Sequence, residues 1–269
     1  MNKNNPKKEC SKNERLRCLL KGTRDNLIKQ GHFSKEISDT IKAYSFPCCP
    51  DQLVASLEID YSGKIQWVGQ RSLKTKVSAS LKDETKLFER ININKKFSPE
   101  HDILLLIIES PHKHEFNGEK ANGPAFGAAG TRINNYLAKI LEKEGGIELD
   151  NSTYDLLLIN IIQYACSLEQ NLKLIKNKML KDSWNSSKKE FKKDFKNRLA
   201  KILQAAEANH KNVLIINCCT STIAGIKSSV TEIIKEIIKE TLKETNSVSI
   251  YSCHHPSTWN KNTHIKKIS

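Results

Sequence analysis

Four short apolar runs, each separated from the next by a helix-like stretch, constrain the fold of this chain most. They span residues 103–108, 156–162, 213–216 and 248–251 of the 269-residue sequence. Strands that are apolar on both faces and alternate with helices are typical of a mostly parallel sheet with helices on both sides. The sequence therefore predicts an α/β fold with three layers, α/β/α, over residues 101–269.

The predicted helices of this region differ in length and in how clearly they begin. The first is predicted to begin near Thr131, whose hydroxyl can cap a helix N-terminus. The others are predicted over residues 172–208 and 229–244.

The first hundred residues follow a different pattern. Leucine and isoleucine recur at helical spacing between residues 12 and 45. Apolar residues then alternate with polar ones over residues 53–68, on both sides of a turn at 61–64, which predicts a β-hairpin. We therefore expect residues 1–100 to form a helical and β-hairpin extension that packs on the α/β domain.

The charge of the chain points toward a polyanionic partner. The sequence has 44 Lys+Arg and 30 Asp+Glu, a formal net charge of +14. A positive field attracts phosphate backbones, so nucleic acid is the first candidate. Nine basic and three acidic residues lie between Lys178 and Lys201. That segment is either a solvated helix face or a surface that follows phosphates.

Cysteine spacing and hydropathy exclude several classes of protein. None of the eight cysteines forms a Cys-x-x-Cys pair, so no zinc site is predicted. His112 and His114 have metal-like spacing, but no clear third ligand accompanies them. No apolar run reaches the roughly 18 residues that a membrane span needs. We expect a cytoplasmic protein with reduced thiols and no membrane partner.

Segments that directly follow predicted strands carry the chemistry. The first reads Ile108-Glu-Ser-Pro-His112 and continues through Glu115 to Gly123-Pro-Ala-Phe-Gly-Ala-Ala-Gly130. Asn160 lies near the end of the second apolar run, and His255-Pro-Ser257 follows the last. Because the carboxyl ends of parallel strands meet at one edge of a sheet, we expect a single site.

These segments resemble the motifs of the uracil-DNA glycosylase superfamily. The nearest branch has Gly-Glu-Ala-Pro-Gly, then Glu, then Gly-x-Pro-Phe-x-Gly-x-Ala-Gly, an asparagine after the next core strand, and His-Pro-Ser. The matches occur in that order and cover residues 101–269. The resemblance implies a uracil-DNA glycosylase-like fold and a monofunctional DNA glycosylase. Such an enzyme flips out uracil or a modified pyrimidine and hydrolyses its N-glycosidic bond, in DNA repair or in defence against phage.

The resemblance also implies a role for each matched residue. Glu109 and Glu115 are both candidates for orienting the attacking water or stabilising the cationic sugar. His255 would donate a hydrogen bond to the base oxygen that gains charge. Asn160 would read the edge of the base. Phe126 would either stack on the base or pack in the core.

The remaining candidates concern the pocket wall and the DNA backbone. Ser110, Pro111 and His112 are expected to line the base pocket. Ser257 is expected to face phosphates. Trp259 would either wedge into the gap left by the flipped nucleotide or pack on the C-terminal strand.

Departures from the family pattern bear on specificity and cofactors. Ser110 cannot act as the carboxylate base of the best-known branch, and His112 replaces an aromatic residue that blocks the thymine methyl there. Small residues at positions 125 and 127–129 leave room beside Phe126, so a base larger than uracil is expected. The cysteines that bind an iron–sulfur cluster in the nearest branch have no counterpart, and no cofactor is predicted.

Two alternatives remain open on the sequence. The substituted loop favours a nucleic-acid-binding module that keeps this fold without catalysis. Charge alone would also fit an RNA-binding or processing factor. We expect a monomer, since one glycosylase domain can enclose one flipped nucleotide.

Overall fold

The computed structural model describes residues 12–31, 33–68, 98, 100–112, 115–117, 120–143, 152–166, 173–220, 223, 225–242 and 248–268. Its helices are Lys12–Gln30 (α1), Lys35–Lys42 (α2), Ala128–Lys143 (α3), Lys173–Trp184 (α4), Glu190–Ala208 (α5) and Ile226–Thr241 (α6). Its strands are Gln52–Ile59 (β1), Ile65–Val68 (β2), Asp102–Ile108 (β3), Phe116–Asn117 (β4), Lys120–Ala121 (β5), Thr153–Asn160 (β6), Val213–Asn217 (β7), Val248–Ser252 (β8) and Lys266–Lys267 (β9).

A single seven-stranded sheet dominates the described part of the chain, in the order β2-β1-β6-β3-β7-β8-β9. The central strands β6, β3, β7 and β8 are parallel, and antiparallel pairs extend the sheet at both sides. This confirms an α/β fold with a mostly parallel central sheet. The β1–β2 hairpin, predicted as an extension, instead supplies two strands of the sheet, because β1 pairs directly with β6.

Strand β3 divides the apolar core into two clusters. Side chains alternate between the faces of a strand, so Ile103, Leu105 and Ile107 belong to one cluster and the residues between them to the other. The first cluster contains buried residues of α1, α4, α5 and α6, and the second those of α3 and the C-terminal segment. Both faces of the sheet are therefore covered, which explains why β3 is apolar throughout.

One helix prediction needs correction, and two are refined by the structure. Helix α3 begins at Ala128, and the Thr131 hydroxyl donates back to the carbonyl of Gly127 at 3.0 Å instead of capping the helix. Gly127 has φ +119°, a conformation that glycine adopts readily, so the chain turns into the helix earlier than the threonine suggests. The helical region predicted over residues 172–208 contains two helices, α4 and α5, and the one predicted over residues 12–45 contains α1 and α2.

No helix within the described ranges is long and apolar enough to cross a membrane.

Because β1 belongs to the central sheet, loss of one of its buried side chains should lower the stability of the whole domain. Leu57 is 1% exposed and packs in the cluster that contains Leu104 and Leu106. Leu57→Ala should lower the free energy of unfolding by about 2–5 kcal/mol, in a single urea transition. Tyr61→Ala, at the 94% exposed hairpin turn, is the control and should change it by less than about 0.5 kcal/mol. An additional early transition in Leu57→Ala would instead indicate that the hairpin folds independently.

Candidate active site

The carboxyl ends of the central strands form the edge where the candidate residues lie. After β3 the chain adds β6 on one side and then crosses to add β7 on the other, and ligands of open α/β sheets bind at such a switch point. Glu109 follows β3 directly and is 7% exposed. Its Oε1 accepts a hydrogen bond from the backbone N–H of Thr220, which lies beyond β7. Glu109 therefore lies at the switch point.

Asn160 lies on the β6 side of this edge. Its backbone is in register with Ile108 of β3, and its side chain is completely buried. Among the described residues, neither its amide oxygen nor its amide nitrogen has a hydrogen-bond partner, and the same is true of the buried Ser110 hydroxyl. A buried polar group without a partner costs about 1–3 kcal/mol. A ligand that supplies the missing partners would therefore bind favourably here.

The backbone of Asn160, in contrast, is fully engaged. Its N–H donates to Asp51 Oδ1 at 3.2 Å, and Arg198 Nη2 donates to its carbonyl oxygen at 2.8 Å. Arg198 Nη1 also donates to Asp51 Oδ2, and Nε donates to Asp194 at 2.8 Å. Burial alone would lower the pKa of the Arg198 guanidinium, but the charges of Asp51 and Asp194 raise it above its ordinary value.

Asp51 and Arg198 were not among the residues predicted from the sequence to form the site. Arg198 lies in the lysine-rich segment that was interpreted as a solvated face or a phosphate surface. The sequence feature that could have indicated Arg198 is its spacing of four residues from Asp194. In the structure the two side chains form an ion pair that is mostly shielded from solvent.

His255 lies on the opposite side of the edge, beyond β8. It precedes the 3-10 helix Pro256–Thr258, and the backbone N–H of Ser257 donates to its Nδ1 at 3.3 Å. The Ser257 Oγ lies 2.8 Å from the same nitrogen. Because Nδ1 accepts, this pattern assigns the proton of a neutral ring to Nε2. In its neutral form His255 therefore carries its hydrogen-bond donor at Nε2. The Ser257 side chain is exposed, as a phosphate contact requires, but it also orients His255.

Helix α3 brings the glycine-rich loop next to the His255 segment. Arg132 Nη1 donates to the carbonyl oxygen of Trp259 at 3.0 Å. Phe126 precedes α3 and is partly exposed, which places it at the surface of the protein. A Cβ atom added to the neighbouring Gly127 would meet no described atom within 4 Å, so there is open space beside this loop.

The rest of the first motif folds back on itself. The N–H of Glu115 donates to the carbonyl oxygen of His112 at 2.8 Å, and Glu115 is 5% exposed. Pro111 is buried and His112 is partly buried. His114 lies outside the described residues, and so does the possible metal-binding pair that it would form with His112. Both candidate glutamates are thus buried, and Glu109 is the one that contacts the β7 end of the switch point.

Trp259 does not lie where a DNA wedge would. It is completely buried in the cluster that contains α3, and its Nε1 donates to the carbonyl oxygen of His254 at 2.8 Å. The turn Pro256–Thr258 precedes the tryptophan and packs against α3, whose Arg132 donates to the carbonyl oxygen of Trp259. The packed alternative therefore describes the position of this residue, and a wedge role would require the indole to leave the core.

Within the described parts of the chain, no group of three or more His, Cys, Asp or Glu side chains is placed to hold a metal ion. Cys218 and Cys219 follow β7, and burial raises the pKa of both thiols well above the ordinary range. Neither thiol is therefore a ready source of thiolate at neutral pH.

Comparison of the chain with protein-family models, with curated proteins and with solved structures finds no match. The sheet itself defines the class, an α/β protein with a mostly parallel central sheet and polar residues gathered at its carboxyl edge. Any narrower assignment depends on the geometry around Glu109, Asn160 and His255.

The burial of Trp259 gives a direct test against a wedge role. Trp259→Ala should lower the free energy of unfolding by about 3–5 kcal/mol, because it empties a large space under α3. DNA affinity, measured where the variant is still folded, should stay close to that of the wild type. Thr258→Ala, an exposed neighbour, is the control and should leave stability nearly unchanged. A stable Trp259→Ala variant with much weaker DNA binding would restore the wedge.

Proposed function

We propose that this protein is a monofunctional DNA glycosylase with a uracil-DNA glycosylase-like fold. The observation that carries the proposal is the buried side-chain amide of Asn160, which has no hydrogen-bond partner among the described residues. Uracil and its close relatives present an acceptor and a donor side by side, at O4 and N3. A single amide satisfies both. A base held outside the helix would thus supply what Asn160 lacks.

The order of the strands supports a site of the right width. Asn160 is the last residue of β6 and His255 lies beyond the end of β8, with β3 and β7 between the two strands. Strands lie about 4.8 Å apart, so the ends of β6 and β8 are separated by roughly 14 Å. A pyrimidine nucleotide fits between two side chains that reach inward across this distance. We place the reading edge of the base toward Asn160, and its O2 toward His255.

The proposed reaction breaks the bond between the sugar C1′ and the base N1. The bonding electrons leave with the base, and the His255 Nε2–H stabilises the charge that grows on O2. Glu109 orients a water molecule and accepts its proton as the oxygen bonds to C1′. The base anion takes up a proton from solvent, and Glu109 returns the proton that it accepted to solvent. The products are the free base and an abasic site, and no Schiff base forms. We assign the water to Glu109 because its contact with Thr220 places it at the switch point.

The loop around Phe126 supports a base larger than uracil. Gly127, the residue next to Phe126, has no described atom within 4 Å of the position where a Cβ would lie. A modified pyrimidine with a substituent at C5 would occupy that space. Its removal from phage DNA is therefore a natural role for this site, and removal of uracil is the other.

A lysine-lined groove next to the site supports DNA as the partner. Lys227, Lys235, Lys266 and Lys267 line a groove of about 640 Å³ between α6 and the β8–β9 edge. Ser252, also in its wall, lies only three residues before His255. A DNA strand whose nucleotide occupies the site would pass this groove with its phosphates.

Base excision by purified protein tests the proposal. DNA carrying uracil, and separately phage DNA carrying hydroxymethylated or glycosylated cytosine, is incubated with the protein and then cleaved at abasic sites. Glu109→Gln should reduce excision by about 10²–10⁴-fold through loss of the general base, and His255→Ala by about 10²–10³-fold through loss of a donor. His254→Ala, at the exposed neighbouring histidine, is the matched control and should remain active.

The substrates separate the possible roles. Strand breaks at uracil alone indicate repair, and breaks in modified phage DNA alone indicate defence. Retained DNA binding without product from any substrate would replace the proposal with a non-catalytic binding module. Full activity of both Glu109→Gln and His255→Ala would refute the assignment of the site.

The lysine groove predicts a specific salt dependence. Lys266→Glu combined with Lys267→Glu should weaken DNA binding and reduce the slope of log K against log salt by about two. The matched control is Lys21→Glu combined with Lys29→Glu, which reverses two exposed charges on α1. Fluorescence anisotropy over a salt series measures both. An equal change in the two double variants would show that only the net charge matters.

A further inference from the structure

We propose that Asp51 and Arg198 are positioning residues that fix the orientation of Asn160 for base recognition. This inference rests on the proposed function and adds two residues to it. Neither residue lies in the motifs that resemble the glycosylases, and Asp51 comes from the part of the chain that precedes them.

The register of β1 explains why Asn160 needs such support. β1 begins at Gln52, which lies opposite Leu158 of β6. Continuing this antiparallel register would place Pro50 opposite Asn160. Proline has no N–H, so it cannot donate to the carbonyl oxygen of Asn160 as a regular strand residue would. The backbone of β6 thus loses its sheet partner at the residue that carries the recognition amide.

The side chains of Asp51 and Arg198 replace that missing partner on both sides of the residue. Asp51 accepts from the N–H of Asn160 at 3.2 Å, and Arg198 donates to its carbonyl oxygen at 2.8 Å. Arg198 also donates to the next carbonyl oxygen, that of Ile161, at 3.3 Å. The two side chains are joined by their own ion pair, with only 14% and 4% of their surfaces exposed. Both peptide planes around Asn160 are therefore fixed by one buried unit.

This arrangement matters because the recognition amide has no hydrogen-bonding anchor of its own among the described residues. Its direction is then set by the backbone from which it projects. Misplacing a recognition group by about 1 Å costs up to about 100-fold in rate. A rotation of the Asn160 peptide would move its amide by a comparable amount.

Conservative variants test the inference without emptying the site. Arg198→Lys keeps the charge but cannot donate to Asp51 and two carbonyl oxygens with a planar fork, and Asp51→Asn keeps one acceptor but removes the ion pair. Each should reduce kcat/KM for excision at least tenfold, an expectation from the same positioning argument. Affinity for undamaged duplex DNA should not change. Asp194→Asn is the matched control, because it removes a partner of Arg198 that does not contact the Asn160 backbone in the described hydrogen bonds.

A double-mutant cycle separates positioning from general destabilisation. Asn160→Ala removes the amide, so adding Arg198→Lys to it should cause little further loss. Multiplicative losses, or a loss in Asp194→Asn as large as in Arg198→Lys, would overturn the inference. Circular dichroism and urea unfolding confirm that each variant compared is folded.

Two measurements without catalysis distinguish failure of the inference from failure of the proposed function. The backbone N–H of Asn160 should exchange its hydrogen faster in Asp51→Asn and Arg198→Lys than in the wild type, but not in Asp194→Asn. Free uracil should shift the Asn160 side-chain resonances of the wild type, and more weakly those of Arg198→Lys. If the wild type excises no base but both effects are observed, the glycosylase activity is refuted and the positioning role is kept. Unchanged exchange in both variants would overturn the inference itself, whereas absence of the uracil shift would count against the base recognition on which it rests.

Discussion

The burial of β3 on both faces is the constraint on which the rest of the structure depends. Every residue from Ile103 to Ile108 is apolar and at most 3% exposed, so the strand can carry no functional side chain within the sheet. Apart from Asp102 at the amino end of β3, polar groups are confined to the residues that follow the strand. Because β6, β7 and β8 run parallel to β3, their polar continuations emerge at the same edge. The site is a consequence of how the core excludes polar residues.

Much of this organisation could be predicted from the sequence, because a strand buried on both faces must be apolar along its length. The positions of Glu109 and Asn160 at strand ends follow from the same pattern. The path that the chain takes after a motif does not follow from this pattern. Whether Trp259 faces DNA or the core depends on the turn before it and on the surface of α3, and the sequence allowed both.

The supporting contacts were the least predictable part of the site. Asp51 and Arg198 are separated by 147 residues, and no local pattern connects them. The charged residues of α5 resemble a solvated face when read along the chain. In the folded protein the helix divides them, so that Lys196 pairs with Glu236 and Glu240 at the surface while only 14% of the Arg198 side chain is exposed. Burial of a charge depends on a distant partner, and only the assembled sheet reveals it.

The pairing of β1 with β6 has a consequence beyond the site. In β6, the run Tyr154–Asn160 is buried throughout, and its free hydrogen-bonding side is covered by β1. A chain shortened to begin at residue 101 would expose a long, apolar edge strand, the kind of edge that recruits strands from other molecules and leads to aggregation. The hairpin therefore covers this edge and protects the sheet from self-association.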